Sequence, residues 1–235
     1  MKRLLFKIGV MLFASLLFIN CSSAQKRETR NVSGFTSIGL SIAADVYLSQ
    51  TNDFKVEIEA PADYLEEIET VVEGNVLKIK HKNHFNFDFG NKKVKVYISM
   101  PKITGLNISG SGDIFAQTAI KAEDLKVKIS GSGDVKVENL SVKNLDMSIS
   151  GSGDIFMAGT DVAESASYSI SGSGDISNEG LQCKKVEIHV SGSGDVKVWA
   201  VDDLIIRVSG SGDVYYKGRP IIDSKSSGSG GLRHL

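Results

Sequence analysis

Proline, cysteine and aromatic residues are all scarce in this sequence. Of its 235 residues, 3 are proline, 2 are cysteine and 7% are aromatic. The formal net charge is −1. Proteins that bind nucleic acid usually present a clustered basic face, which this net charge does not indicate. We therefore expect no nucleic acid partner. Glycine, in contrast, occurs 24 times at regular intervals, and 41% of the residues are hydrophobic. Such a composition allows a substantial core, excludes global disorder and favours β structure.

The first 24 residues have the pattern of a secretory signal peptide. Lys2, Arg3 and Lys7 form a basic start, and residues 8–19 form a short apolar run. A membrane-spanning helix needs about 20 apolar residues, which is more than this run provides. A signal peptide suits both features. We therefore expect an exported protein of the cell envelope, either outer membrane-associated, periplasmic or extracellular.

Two ways of processing this signal remain open. Cleavage after Ala24 fits the small-residue rule of ordinary signal peptidase. Alternatively, Cys21 is lipidated and attaches the protein to a membrane, although the Phe-Ile-Asn before it departs from the usual Leu-Ala-Gly type of lipobox. Either route leaves Cys183 without a free cysteine to pair with, so no intrachain disulfide is expected. We predict that Cys183 is a small, buried apolar residue.

The pentapeptide Ser-Gly-Ser-Gly-Asp occurs six times in the second half of the chain. Successive copies are 21, 20, 21, 20 and 18 residues apart, and a degenerate seventh copy at residues 227–231 ends in glycine. A repeat of this length in a glycine-rich chain predicts stacked coils. The aspartates of the six copies are Asp113, Asp134, Asp154, Asp175, Asp195 and Asp213.

Each copy lies within a stretch that alternates apolar and polar residues. Leu125, Val127 and Ile129 alternate with lysines, as expected of a β-strand with one apolar face. The fold class predicted is all-β: a β-solenoid, or parallel β-helix-like stack, of coils of about 20 residues with an irregular N-terminal β cap. Parallel strands would stack roughly 4.8 Å apart. The motif glycines would then face inward in two columns, where the coil bends or is too narrow for a Cβ.

The region before the repeats has strands but no motif. We predict that residues 30–106 form the N-terminal β cap with the first coils, continuous with a repeat solenoid at residues 107–235. Residues 62–72 are predicted to form a short helix with a capped start at Ala62 and Asp63. A cap is needed because a bare terminal coil exposes a strand edge. Association of copies through the ends or faces of the solenoid is therefore a further expectation.

Several segments carry a resemblance to a known family. They are residues 30–35 (Arg-Asn-Val-Ser-Gly-Phe), residues 97–101 (Tyr-Ile-Ser-Met-Pro), the tandem repeats, and residues 215–218 (Tyr-Tyr-Lys-Gly). The sequence resembles the putative auto-transporter adhesin, head GIN domain family of Bacteroidetes-type bacteria over nearly the whole mature chain. The resemblance implies export and a β-helix-like fold. No catalytic residues are known for that family, so none can be carried over.

Nothing in the sequence predicts an enzyme or a cofactor. His81 and His84 lie close in sequence, but no cysteine or nearby carboxylate completes a metal site with them. Carbohydrate-cleaving β-helices gather charged residues in a cleft. The repeat carboxylates here are instead equivalent and arrayed in a line. A catalytic cleft, if one existed, would have to come from residues 40–100.

The exposed side chains of the motif form the candidate binding face. Each aspartate is expected to cap its own turn through local backbone N–H groups. The alternative is that the aspartate column binds Ca²⁺, whose oxygen ligands suit such a line. The face would bind a glycan or a protein, or order water as ice-binding solenoids do. Its residues are Ser111, Asp113, Ser132, Asp134, Ser152, Asp154, Ser173, Asp175, Ser193, Asp195, Ser211 and Asp213.

These observations favour a non-enzymatic structural or adhesin-like module of the cell envelope, which presents a repetitive Ser/Asp surface for binding. The alternative function is a Ca²⁺-stabilised or glycan-binding and glycan-processing envelope protein.

Overall fold

The computed structural model describes residues 25–82 and 94–235. The predicted signal peptide, the lipidation candidate Cys21 and the histidine His84 lie outside the described residues. In the described part of the chain, no helix is long and apolar enough to cross a membrane.

The described residues form eighteen β-strands and one short helix. In chain order they are β1 Gln25–Arg30, β2 Ser37–Leu40, β3 Asp45–Gln50, β4 Lys55–Pro61, α1 Ala62–Glu67, β5 Ile68–Glu73, β6 Val76–His81, β7 Lys95–Met100, β8 Gly105–Ile108, β9 Asp113–Ala116, β10 Ile120–Ile129, β11 Val135–Val137, β12 Leu140–Ile149, β13 Ile155–Ile170, β14 Ile176–Val190, β15 Val196–Val208, β16 Val214–Lys217, β17 Ile221–Ser226 and β18 Leu232–His234.

These strands stack as the parallel coils of a β-solenoid of about six turns, which confirms the predicted fold class. One line of parallel strands runs β6–β2–β8–β10–β12–β13–β14–β15–β17. The other runs β7–β3–β9–β11–β13–β14–β15–β16–β18. The motif copies lie where the chain passes from the first line to the second, so each coil repeats the same crossing.

Apolar residues of equivalent repeat positions form ladders inside the solenoid. They face inward because successive side chains of a strand point to opposite faces, and the lysines between them point to solvent. Every member of the central ladder is at most 1% exposed: Leu106, Val127, Met147, Tyr168, Ile188 and Ile206.

Tyr168 brings a hydroxyl into this core, where the hydroxyl needs a polar partner. Asn178, also fully buried, donates a hydrogen bond from Nδ2 to the Tyr168 hydroxyl. The Cys183 sulfur lies 3.9 Å from the same hydroxyl. Cys183 is buried, as predicted, and burial raises the pKa of its thiol to about 11. It therefore belongs to a small polar cluster as well as to the apolar core.

The N-terminal end of the stack does not follow chain order. The coil of β2 and β3 lies between the coil of β6 and β7 and the first repeat coil. Outside this arrangement, β5 pairs antiparallel with β6, and β4 pairs antiparallel with both β7 and β1. These antiparallel strands cover edges that the parallel coils would otherwise leave open.

The helix is shorter than the sequence predicted and begins without the predicted cap. It ends at Glu67, and Pro61 stands at its N-cap position with no side-chain capping hydrogen bond. Residues 68–73 form β5 instead, because this stretch is rich in β-branched residues and pairs with β6.

Candidate binding face

The middle serines of the six motif copies form a straight column on the outside of the solenoid. Backbone hydrogen bonds between coils hold them there: the Ser132 N–H donates to Gly110 O at 3.1 Å, and the Ser152 N–H donates to Gly131 O at 3.0 Å. In the described part of the chain, none of the six side-chain hydroxyls has a protein hydrogen-bond partner. All six serines are exposed: Ser111, Ser132, Ser152, Ser173, Ser193 and Ser211.

The first serine of each copy forms a second exposed column beside this one. Most of these hydroxyls are also open to solvent. At the N-terminal end, Ser109 and Ser41 lie within hydrogen-bond distance, with their Oγ atoms 2.9 Å apart. Nearer the C-terminal end, the Ser191 hydroxyl donates to Ile170 O at 3.4 Å. Two parallel rows of hydroxyls therefore follow the solenoid axis, with a repeat distance of roughly 4.8 Å.

The motif glycines form two columns, as predicted, and the atoms that a Cβ would meet belong to the neighbouring coil. A Cβ on Gly153 would lie 2.0 Å from the carbonyl oxygen of Gly133 in the preceding coil, and a Cβ on Gly151 would lie 1.8 Å from Gly131 O. Real Cβ atoms do not approach oxygen so closely. The missing side chain therefore lets neighbouring coils touch along the axis where the chain passes from one line of strands to the other.

The motif aspartates link one coil to the next, and the prediction that each caps its own turn is wrong. The Oδ1 atom of Asp134 accepts a hydrogen bond from the backbone N–H of Asp154 at 2.8 Å, and Asp154 Oδ1 accepts from Asp175 N–H at 2.8 Å. The same bond recurs at every step of the column, from Asp113 to Gly231. Each carboxylate thus pairs a backbone donor about one turn further along the chain, a partner that local turn chemistry does not supply.

The coil that begins this column has no copy of the motif and was not predicted from the sequence. Asp45 pairs in register with Asp113, and the segment Ser41-Ile42-Ala43-Ala44-Asp45 occupies the motif position of that coil. The Asp113 N–H donates to the backbone oxygen of Ala44 rather than to a carboxylate. The carboxylate ladder therefore starts at Asp113. The sequence does contain a signal for this coil, because Ser41 and Asp45 have the spacing of the first serine and the aspartate of the motif. The similarity is hard to recognise because Ile42 and Ala44 stand in place of the two glycines.

The two ends of the ladder differ electrostatically. Burial raises the pKa of Asp113, and the neighbouring carboxylates of Asp134 and Asp45 act in the same direction. The backbone N–H of Gly231 lowers the pKa of Asp213, with help from the Arg233 guanidinium 3.2 Å away. The first carboxylate therefore resists ionisation, whereas the last is held in its ionised form.

Metal ligands do not converge in the described part of the chain. No group of three or more His, Cys, Asp or Glu residues there is placed to hold a metal ion. Along the aspartate column, one oxygen of each carboxylate already accepts a backbone N–H. His81 is half-buried at the end of β6, and this burial lowers its pKa.

The face therefore divides into two sets of side chains. The aspartates are engaged in bonds between coils, and the middle serines present free hydroxyls to solvent. The binding face proposed from the sequence contained both sets. Because, of these two sets, only the middle serine hydroxyls lack a protein partner within the described residues, they are the groups best able to hydrogen-bond a ligand.

Comparison with known proteins agrees with this architecture. The family model described as "Putative auto-transporter adhesin, head GIN domain" matches residues 34–220. None of the curated proteins matches the sequence.

Solved structures with this fold include proteins from Bacteroides and Parabacteroides species. A putative adhesin from Bacteroides fragilis has a TM-score of 0.86 at 24% identity, with 91% of this chain and 98% of that chain covered. A putative lipid binding protein from Parabacteroides distasonis has a TM-score of 0.75 at 23% identity, with 91% and 98% covered. A putative adhesin from Parabacteroides merdae has a TM-score of 0.69 at 22% identity, with 91% and 97% covered. At these identities the likeness establishes the fold alone.

Proposed function

Because the chain belongs to the putative auto-transporter adhesin, head GIN domain family, we propose that it is a non-enzymatic, adhesin-like module of the cell envelope. It binds an extended glycan or protein surface through the two columns of serine hydroxyls. The names of the family and of two similar structures, both putative adhesins, support an adhesive role.

The observation that carries this proposal is the row of unpartnered hydroxyls. Each hydroxyl is both a donor and an acceptor, and the rotor can turn to suit its partner. The underlying backbone is fixed by the hydrogen bonds between coils, so the row needs little ordering when a ligand binds. Low ordering cost favours affinity. Since equivalent positions repeat along the axis, the face suits a ligand that is itself repetitive or extended.

The same regularity supports a non-enzymatic role. Catalysis needs an acid, a base or a nucleophile that differs from its neighbours in environment. Between the two ends of the column, the carboxylates of Asp134, Asp154, Asp175 and Asp195 repeat one arrangement, in which each accepts the same backbone hydrogen bond from the next coil. An array of like groups is suited to binding, where many weak contacts add up.

A binding experiment tests the proposal directly. The purified protein is applied to an array of bacterial and host surface glycans and to intact cells, and binding is compared with that of a variant carrying Ser132→Ala, Ser152→Ala and Ser173→Ala. Exposed hydroxyls contribute little to folding, so the variant should keep its circular dichroism and melting temperature. We expect it to lose most of its binding.

A matched variant controls for the number of serines changed. It carries Ser141→Ala, Ser167→Ala and Ser177→Ala, which lie outside the two columns, and it should bind as the unmodified protein does. Equal binding by both variants would rule out the serine columns as the site. Shortened products of a bound glycan would contradict the non-enzymatic role.

Protease treatment of intact cells tests the location. We expect cleavage of the protein on whole cells, because an adhesin has to reach its ligand outside the cell. A protein that is cut only after permeabilisation of the outer membrane would not be a surface adhesin.

A further inference from the structure

A row of aromatic side chains lies on the outer face of the solenoid next to the aspartate column. Tyr97, Tyr47 and Phe115 come from β7, β3 and β9 and pair in register. The Tyr47 ring stacks on Tyr97 with centroids 5.3 Å apart and on Phe115 with centroids 6.0 Å apart, at interplanar angles of 20° and 30°. All three point outward and are half-buried, so the apolar core does not account for them.

One end of this aromatic row is closed by a cation. The guanidinium carbon of Arg27 lies 4.3 Å from the centre of the Tyr97 ring. Glu59 holds this guanidinium in place, with 2.6 Å between Nη2 and Oε2. A cation over a ring face occupies the negative side of its quadrupole, so a ligand cannot stack at this end.

The other end of the row opens into a groove. The next residue in register is Lys136, but its ammonium is directed away, over the Phe156 ring 5.7 Å from the centroid. It also pairs with Glu138 at 2.8 Å. The groove beside Phe115 has a volume of about 480 Å³ and is lined by Tyr47, Phe115, Ala116, Gln117, Lys136 and Glu138.

We propose that this groove binds one sugar ring of a neutral glycan, at a site separate from the serine columns. The negative face of Phe115 favours contact with the positively polarised C–H groups on the apolar side of a pyranose. Gln117, Glu138 and Lys136 surround that platform with the donors and acceptors that sugar hydroxyls require. The volume lies within the range of small-molecule sites.

The lining distinguishes a neutral sugar from other ligands. Lys136 and Glu138 neutralise each other, so the groove has no excess charge to attract an anionic or cationic ligand. Four of the six lining residues carry side-chain hydrogen-bonding groups, which an acyl chain would leave unsatisfied at a free-energy cost. An aromatic platform with polar groups on its rim is best matched by a ligand that has one apolar and one polar side.

The test measures binding of neutral disaccharides: cellobiose, mannobiose and the disaccharide of N-acetylglucosamine. Titration calorimetry supplies the affinity, and saturation-transfer NMR identifies the sugar protons that touch the protein. We expect at least one disaccharide to bind with transfer to its ring C–H protons. Phe115→Leu keeps an apolar side chain but removes the ring face, and should weaken binding roughly tenfold.

Phe54→Leu is the matched control, because Phe54 is an exposed aromatic residue that packs on Phe35 and does not line the groove. It should change the affinity by no more than about twofold. Glu138→Gln is a second test that leaves the aromatic row intact, and we expect it to weaken binding through the loss of an anionic acceptor. Circular dichroism and the melting temperature establish that each variant is folded.

The proposal is overturned if none of the disaccharides binds, or if Phe115→Leu binds as tightly as the unmodified protein. Binding of phosphatidylglycerol vesicles that depends on Phe115 would assign the groove to a lipid instead, and would equally overturn it. The variant with Ser132→Ala, Ser152→Ala and Ser173→Ala should retain disaccharide binding. This outcome separates the groove from the serine columns, so either proposal can fail without the other.

Discussion

The Oδ1 atom of Asp154 accepts a hydrogen bond of 2.8 Å from the backbone N–H of Asp175, which lies in the next coil. At this point the chain turns between the two lines of strands. In the first coil of the column the equivalent N–H, that of Asp113, donates to the backbone oxygen of Ala44, whereas from Asp134 onward the acceptor is a carboxylate of the preceding coil. Because the bond recurs at each turn, the column joins adjacent coils and pairs one backbone donor at every step.

Substitution of one aspartate should therefore cost stability. Asp154→Ala removes the acceptor for the Asp175 N–H, and we expect the free energy of unfolding to fall by about 1–2 kcal/mol, since the bond is charge-assisted but partly solvated. Asp154→Asn retains an acceptor oxygen and should cost less. Urea unfolding gives both values. Ser152→Ala, on the same exposed surface, is the control and should be neutral within about 0.5 kcal/mol. An equal effect of Ser152→Ala and Asp154→Ala would contradict the role given to the carboxylate.

The glycine columns lead to a sharper stability prediction. In Gly153→Ala the new methyl group would lie 2.0 Å from Gly133 O. The coils on both sides prevent relief, so we expect a loss of about 3 kcal/mol or more, or failure to fold. Gly39→Ala is the control: the nearest atom to its Cβ is Val76 Cγ1 at 3.4 Å, an ordinary contact. Thermal unfolding of both variants measures how much stability each substitution costs. If Gly153→Ala is tolerated as well as Gly39→Ala, contact between coils is not what requires glycine.

The opposite pKa shifts at the two ends of the column predict opposite responses to pH. The lowered pKa of Asp213 means that its ionised form stabilises the fold above the unfolded-state pKa, and this contribution is lost as the pH falls through the folded-state pKa. The raised pKa of Asp113 means that its contribution is present below the unfolded-state pKa and is lost as the pH rises through the folded-state pKa.

Two asparagine variants and an NMR titration test this difference. At neutral pH, Asp213→Asn should lower the free energy of unfolding, because it removes the charge that faces Arg233. Asp113→Asn should leave it unchanged or raise it, because the amide oxygen can still accept the Asp134 N–H without the cost of a charge. Carbon-detected NMR should place the pKa of Asp113 above that of Asp213. The reverse order would show that burial does not dominate at Asp113.

Calcium should not stabilise this protein. The Oδ1 atoms along the column are already bonded to backbone N–H groups, and Ca²⁺ takes six to eight oxygen ligands. We expect EDTA to leave the midpoint of thermal unfolding unchanged, and we expect added Ca²⁺ not to raise it. Mg²⁺ at the same ionic strength controls for general screening of the carboxylates. A rise in the midpoint with Ca²⁺ but not with Mg²⁺ would establish the alternative that the aspartate column binds calcium.

Much of the fold follows from short-range features of the sequence. The alternation of Leu125, Val127 and Ile129 with lysines determines which face of β10 is buried. The recurrence of that pattern every turn then predicts parallel ladders. By contrast, the predicted helix at residues 62–72 was only half right, because pairing of β5 with β6 outweighed any helical tendency of its second half.

The candidate site was predicted less well than the fold. The serine column could be identified from the motif, since exposure follows from the period of two. The partner of each aspartate could not, because it lies about one turn away in sequence and depends on the register of neighbouring coils. The aromatic row has no signal in the sequence at all: Tyr47, Tyr97 and Phe115 are far apart along the chain and meet only because the N-terminal coils stack out of order.

The sequence by itself determined a glycine-rich repeat, a period-two apolar pattern and hence a β-solenoid, because strand geometry and repeat length are local properties of the chain. Only the tertiary structure decided what the motif residues do. Contacts between coils leave no room for a Cβ at the motif glycines, make the aspartates acceptors for backbone N–H groups of the next coil, and leave the hydroxyls of the middle serines without a protein partner among the described residues. The same contacts placed Phe115 at the open end of an aromatic row. These roles depend on which coil lies beside which, and that order is set by strand pairing across distant parts of the chain.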